Sequence, residues 1–393
     1  MPGSTRSAEM ARRFADAGHD VQVVTSQRSG SSIGRPAPHW DVSTEDGYTV
    51  HWCHIPYSNA MGFGRRVQAF FKFAYDAARY AARLDGDVIL ATSTPLTIAI
   101  PGVYASRASR CPMVLEIRDL WPELPIAIGA LRNRTGIAAA RSLERWAYRH
   151  SAHIVALSPG MREGILAQGI PPDRVTVIPN ACDVDLFRTV HETRVSIRDR
   201  HEWLGDRPLV LYAGTLGRIN GVSYLARIAQ ALQDKAPEVQ FAVVGDGAET
   251  NEIRSLALDL GVLDRTFHML PAVGKQDVVG WFTAADVVCS LFVDLPQMWM
   301  NSANKFFDGL AAGKAVAINY LGWQADVLAT NHAGIVLPPA DPEEAGNILL
   351  ETIRSPARLV EMGQAARRLA IRDFDRDKLS RQLLDVLNRV VNP

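Results

Sequence analysis

Three stretches of this 393-residue chain have the residue types and spacing to hold an anionic, hydroxyl-rich ligand. In NSANKFFDGLAAGKAVAINY, residues 301–320, Asn304 reads as a helix N-cap with Lys305 and Asp308 in the first turns. Three positions apart, Lys305 and Asp308 share one helix face. A lysine beside helix amides suits a phosphate. A carboxylate suits a diol such as ribose, because it accepts two hydrogen bonds at once. Gly309, Ala311, Ala312 and Gly313 are small enough to let the helix pack closely on a sheet. The alternative is an ordinary capped helix. The second stretch, AGTLGRINGVSYL at 213–225, reads as a strand-to-helix turn. Gly214, Gly217 and Gly221 let the backbone approach a ligand, Thr215 and Arg218 sit among them as donor-binding candidates, and the helix amides near Gly221 form an anion site. The third, VVGDGAETNEI at 243–253, is a second glycine-rich turn, with Gly245 and Asp246 at its centre.

The first half carries different chemistry. EIRDLWPELP, residues 116–125, puts Arg118 and Asp119 at a strand C-terminus, where an aspartate can act as a base or orient a substrate hydroxyl. An Arg-Asp pair closing the loop is the other reading. Residues 57–84 mix Phe63, Phe70, Phe71, Phe73, Tyr75 and Tyr80 with Arg65, Arg66 and Lys72, the pattern of an interfacial helix. A core helix with a basic face is its alternative. At the front, Gly3, Ser4, Thr5 and Arg6 form a loop entering a helix, a further phosphate or acceptor contact. Ser158-Pro159 reads as an N-cap followed by a first-turn proline rather than as a nucleophile elbow. No HExxH, CxxC or DxD string occurs, and His51-Trp52-Cys53-His54 has no further ligand nearby in sequence, so no metal site is expected.

Strands alternating with helices must position these residues. DVQVVTS, DVILATS, PMVLEIRD, HIVALS and RVTVIP read as strands of one domain. LVLYAGT, VQFAVVGD, TFHML, DVVCSL, AVAINY and AGIVLP read as strands of a second. The polar bridge 188–208 reads as a linker. The expected architecture is α/β, two doubly wound Rossmann-like domains facing across a cleft. Residues 1–205 form the first domain, 206–375 the second, and the helix in 376–393 packs back on the first. A strand should precede the first helix of a βαβ unit, and the chain reads as one strand short at that edge.

Composition narrows the class. With 42 basic and 42 acidic side chains, 47% apolar residues and 21% charged, the chain is an ordinary globular protein without the basic excess of a nucleic-acid coat. Residues 1–205 hold 24 basic and 20 acidic side chains, so the small positive excess lies in the half with the aromatic and basic segment. No 18-residue apolar run and no signal peptide is present, and four scattered cysteines suit buried thiols of a reducing compartment.

The ordered set GSTRSAEMARRFADAGHDVQVVTS, EIRDLWPE, ALSPGM, VIPNACDVDLF, YAGTLG, VVGDGAE and NKFFDGLAAGKAV resembles a bacterial glycosyltransferase of family 4 with the GT-B fold. It is most similar to the N-acetyl-L-fucosamine transferase branch of O-antigen and capsule synthesis. The resemblance implies a retaining transfer from a nucleotide-sugar donor, held by the second domain, to a polyprenyl-diphosphate-linked saccharide held by the first. It implies no metal and no other cofactor. It implies a peripheral enzyme on the inner face of the plasma membrane, with no nucleic-acid partner. In the family the carboxylate matching Asp308 holds the ribose, and the glycines matching 214–217 approach the diphosphate. Departures are clear. The family histidine falls on Arg118, so Asp119 is the better catalytic candidate. The family arginine and lysine fall on Thr215 and Asn220, leaving Arg218 and Lys305 to replace them. The first carboxylate of a pair eight apart is Met300 here. A GT-B epimerase acting on nucleotide sugars and a non-catalytic homologue are the rival readings.

Overall fold

The computed structural model describes residues 6–26, 39–56, 61–93, 95–119, 121–187 and 197–392. The described chain divides into two compact units: one runs to Pro179 and resumes at Leu379, the other spans Asn180–Lys378.

In the first unit, helix α1 (Arg6–Asp16) leads into β1 (Gln22–Ser26), β2 (Trp40–Glu45) and β3 (Tyr48–Cys53). Helix α2 (Phe63–Ala81) follows, then β4 (Ile89–Ser93), β5 (Met113–Ile117), β6 (His153–Ala156) and β7 (Val175–Val177). β4 to β7 form a parallel sheet in sequence order, and all of β5 is buried. β1 pairs parallel with β3, and β2 antiparallel with β3. The β2–β3 hairpin is absent from the strands read in the sequence. Its signal was Asp46-Gly47, now found at φ 44° and 85°, the left-handed pair a two-residue hairpin turn requires. The strands fall into two sheets, and no described strand pairs with the free edge of β1 or β4. β1 is accordingly half exposed rather than buried.

In the second unit, β8 (Leu209–Ala213), β9 (Gln240–Val244), β10 (Phe267–Leu270), β11 (Val287–Ser290), β12 (Ala315–Ile318) and β13 (Gly334–Val336) are all parallel. Their order is β10-β9-β8-β11-β12-β13. The direction of winding reverses between β8 and β11, so the loops after those two strands flank a topological switch point, where doubly wound sheets bind ligands. β8, β9, β11 and β12 are buried throughout, which is why their sequences are continuous apolar runs. All six strands match the sequence reading. Helix Asn304–Ala311 lies close on this sheet: a Cβ at Gly309 would meet Val316 and Val288 at 3.0 and 3.1 Å.

The units divide at 179/180, upstream of the expected boundary at 205. Residues 197–208 are no free linker. Arg198 donates to the carbonyls of Gly205, Arg207 and Ala284 and pairs with Asp286 at 3.1 Å. Trp203 stacks on His268 with 3.7 Å between centroids. One arginine and one tryptophan thus fasten a polar segment to the second unit. Helix Arg376–Val391 buries Leu379, Leu383, Val386 and Leu387, and from Leu379 onward it groups with the first unit.

Candidate active site

The loop after β8 is shaped by close backbone approach. A Cβ at Gly214 would stand 3.1 Å from Lys305 Cε, and a Cβ at Gly245 would overlap the Gly214 carbonyl. Gly214 N–H donates to Val244 C=O, Leu216 N–H to Asp246 C=O and Glu249 N–H to Leu216 C=O, so the loops after β8 and β9 are laced together. Asp246 shapes its own turn through Oδ1, which accepts from Gly247 N–H at 2.7 Å and Thr250 Oγ1 at 2.9 Å. Gly217 enters a 3-10 turn, Arg218–Asn220, and Gly221 at φ 57° passes the chain into helix Ser223–Leu232. Arg218 is exposed, beside Glu249.

Lys305 sits directly beneath this loop. Helix Asn304–Ala311 has Ala303, not Asn304, at its N-cap position, and no side chain caps it; Asn304 is exposed in the first turn. That placement aims Lys305 inward. Its Nζ donates to Tyr212 Oη at 2.9 Å, and Tyr212 Oη donates to Thr215 C=O at 2.8 Å. With the Asn220 amide oriented to satisfy its neighbours, Oδ1 accepts from Lys305 Nζ at 3.2 Å. The ammonium also lies 4.6 Å from the Tyr212 ring centroid and 5.7 Å from that of Phe292. Among the described residues no carboxylate forms an ion pair with it, and burial pushes its pKa down to about 8. A cation held in low dielectric below a glycine turn is chemically able to pair with an incoming anion.

Asp308, one turn on, is half-buried and its pKa is pushed up to about 7, by burial first. Asp183 adds to the rise, while Arg376 and Lys275 oppose it. These three form a network the sequence reading did not single out. Arg376 Nε donates to Asp183 Oδ1 at 2.7 Å and Lys275 Nζ to Asp183 Oδ2 at 2.9 Å. The available signal was the Asp in VIPNACDVDLF, followed much later by Arg376 after Asp375. Asn180, earlier in that stretch, donates from its backbone N–H to Ser302 Oγ at 2.9 Å and from its side-chain Nδ2 to Ser302 C=O. This fixes the segment just before Lys305.

In the first unit, Arg118 and Asp119 follow β5 as expected, and Arg118 N–H donates to Ser93 Oγ at 3.2 Å. Gly3, Ser4 and Thr5 lie outside the described residues. Arg6, expected in a phosphate or acceptor loop, is turned inward. Its guanidinium pairs with Glu116 at 2.8 Å and donates to the carbonyls of Pro179 and Ile178, with both charged side chains buried. Thr92 Oγ1 donates to the other Glu116 oxygen at 2.8 Å. Burial pushes Glu116 up, but Arg6 and Arg118 outweigh it and hold the carboxyl below its usual range. Ser158 caps its helix by accepting from Met161 N–H, ahead of Pro159.

On α2, Arg65 and Lys72 are exposed, Arg66 and Phe70 half-buried, and the Phe63 side chain lies outside the described residues. Among the described side chains of α2, the aromatics that face solvent are Phe71 at 52% and Tyr75 at 61%, not Phe70. One helical turn separates them, so they share a face, and Arg79 donates to Tyr75 Oη at 2.9 Å. Among the described residues no helix is long and apolar enough to cross a membrane. The four cysteines are free and buried.

Residues 3–181 match the family described as glycosyl transferase 4-like domain, and residues 207–355 match glycosyl transferases group 1. The putative colanic acid biosynthesis glycosyl transferase WcaI of Escherichia coli K12 is 23% identical over 400 residues, spanning 96% of this chain and 94% of that one. Among solved structures, sucrose-phosphate synthase from Thermosynechococcus elongatus superposes with a TM-score of 0.77 at 16% identity, covering 98% of this chain and 92% of the other. Anabaena HepE in complex with UDP-glucose gives 0.69 at 18% identity, over 94% and 99%. The fold is that of the GT-B glycosyltransferases. Two glycosyltransferase domain families thus match in order along most of the chain, a 4-like domain followed by a group 1 domain.

Proposed function

We propose that the protein is a retaining, metal-independent glycosyltransferase that moves a hexosyl or N-acetylaminosugar unit from a nucleotide sugar to a polyprenyl-diphosphate-linked saccharide. It would work at the inner face of the plasma membrane, in cell-surface polysaccharide synthesis such as O-antigen or capsule. The observation that carries this reading is the desolvated Lys305 ammonium under the Gly214–Thr215 turn, one helical turn from a carboxylate with a near-neutral pKa.

In this reading the donor diphosphate lies on the 214–217 loop, held by its backbone, Lys305 and the exposed Arg218, and Asp308 accepts the ribose hydroxyls. As the anomeric carbon separates from the diphosphate oxygen, negative charge grows on the leaving group beside dipoles and a cation already in place. The acceptor hydroxyl forms the new bond on the same face, with Asp119 orienting it or taking its proton and Arg118 beside it. UDP-glucose in Anabaena HepE makes uridine diphosphate sugars the first donors to test. The N-acetyl-L-fucosamine branch rests on the sequence resemblance alone. A donor panel incubated with lipid-linked acceptor, scored for product and for the anomeric configuration by NMR, tests the whole. Hydrolysis or epimerisation of donor without transfer to any acceptor overturns it.

Two predictions arise here. Donor binding needs Asp308 ionised and Lys305 protonated, so UDP affinity should rise as pH passes about 7 and fall as it passes about 8. Asp308→Asn should abolish the lower limb and weaken binding about tenfold, the loss of one charge-assisted hydrogen bond. Calorimetry from pH 6 to 9 checks it, and an unchanged lower limb in the variant removes Asp308 from the ribose. For the membrane, Phe71→Ser with Tyr75→Ser should cut sedimentation with anionic vesicles by about tenfold or more, since each aromatic inserts apolar area beside basic residues. Equal sedimentation of variant and parent would place the contact elsewhere.

A further inference from the structure

Away from the donor and acceptor loops, one group of side chains has the makings of a metal centre. We propose that His39, Cys53 and Asp76 bind a single zinc-type divalent ion. His39 immediately precedes β2, Cys53 ends β3, and Asp76 lies on α2. The antiparallel register sets Trp40 opposite Cys53, and His54 N–H donates to His39 C=O at 3.0 Å, so the open end of the hairpin holds His39 against Cys53.

His39 Nε2 stands 3.0 Å from Asp76 Oδ2 and 4.0 Å from Cys53 Sγ, and the three atoms lie within 4.8 Å of one another. In tetrahedral zinc sites, bonds of about 2.0–2.3 Å place neighbouring donor atoms roughly 3.2–3.8 Å apart. Side-chain shifts within about 1 Å therefore close the set on one ion. A simple His39–Asp76 ion pair does not account for the alignment. Despite the 3.0 Å approach, buried Asp76 Oδ2 has no hydrogen-bond donor among the described residues. The nitrogen and oxygen converge without hydrogen-bond geometry between them, an arrangement that a shared cation would satisfy.

Charge and softness agree with the geometry. Cys53 is fully buried, so its sulfur faces the pocket between the hairpin and α2 away from bulk water. The bound ion displaces the thiol proton to solvent, while His39 enters as neutral imidazole and Asp76 as carboxylate. One thiolate and one carboxylate balance a dication. A sulfur, a nitrogen and an oxygen suit zinc and not magnesium or calcium, which take oxygen ligands. The His39 side chain is 48% exposed, leaving a fourth position for water. Such an ion ties the β2–β3 hairpin to α2 and braces the helix that carries Phe71 and Tyr75.

The full-length protein, stripped with chelator, is titrated with cobalt(II) alone. One ion per chain should bind, with visible bands of tetrahedral cobalt and a near-ultraviolet thiolate-to-cobalt charge-transfer band, both bleached by zinc. Cys53→Ser should lose the charge-transfer band, and Asp76→Asn should weaken binding by at least about 100-fold. The wild-type spectrum decides even if a variant fails to fold. No binding, binding without the charge-transfer band, or a folded Cys53→Ser that binds like the parent overturns the proposal.

Discussion

Arg6→Ala is expected to lower the unfolding free energy by about 3–5 kcal/mol, because it strands Glu116 as a buried, unpaired carboxylate. The pair is 2.8 Å apart with side chains 1% and 3% exposed, and Arg6 also satisfies the carbonyls of Pro179 and Ile178. Urea denaturation measures the loss, and a deficit under about 1 kcal/mol would mean that water or a shifted side chain replaces the guanidinium. The pH dependence should change sign. In the parent, Glu116 sits below its usual range, so its contribution is present above the unfolded carboxylate pKa and is lost as pH falls through the folded value. Without Arg6, burial raises Glu116, and the variant should lose stability as pH rises from acid to neutral. Arg6→Met combined with Glu116→Leu should recover most of the loss, since no charge then remains in the interior. Arg6 therefore acts through the scaffold: it joins the start of α1 to β5, directly ahead of Arg118 and Asp119.

Lys305→Met is expected to move binding and stability in opposite directions. UDP affinity should fall by about 30- to 1000-fold, roughly 2–4 kcal/mol, for loss of a preplaced, desolvated cation. The free protein should become more stable by about 2 kcal/mol at pH 7. The sign follows from the depressed pKa: below about 8 the folded protein carries the full penalty of a charged lysine in a dry site, and that penalty declines as pH rises toward the ordinary lysine value. A methionine of similar length removes the penalty and keeps contact with Tyr212 and Phe292. Calorimetry and thermal melts of one preparation check both halves. A variant with weaker binding and a lower melting temperature would make Lys305 a structural residue. Greater stability with unchanged UDP binding would move the diphosphate off this loop. Opposite shifts would show function held at a cost in stability, as is common for charged groups kept for a ligand.

Much of the architecture is written locally. β8, β9, β11 and β12 are unbroken apolar runs because both their faces are covered, and such runs can be read without any partner in view. Gly214, Gly217 and Gly221 mark the turn after β8 for the same reason: a backbone that must pass close to something excludes a Cβ wherever that something lies. Lys305 and Asp308 share a face by helical spacing alone.

Pairings across long sequence separations were settled only by folding. Arg6 reads as a loop cation next to Ser4 and Thr5, yet Glu116, 110 residues away, draws it inside. The 188–208 stretch reads as a linker from its polarity, and nothing local marks Arg198 and Trp203 as anchors for residues 197–208. Phe71, not Phe70, faces solvent because the packing of α2 on its neighbours sets the helix rotation, which a dense aromatic run leaves open. His39, Cys53 and Asp76 come together because strand register and a helix crossing bring 14 and then 23 positions of chain to one point. Residue types and short-range spacing determined the fold class, the strands of the second unit and the two donor-side candidates, since backbone sterics and burial act within a few residues. Which charges are paired, which are left desolvated and near-neutral in pKa, and which ligands converge were decided by tertiary structure, because electrostatics depends on distances in space that sequence separation does not encode.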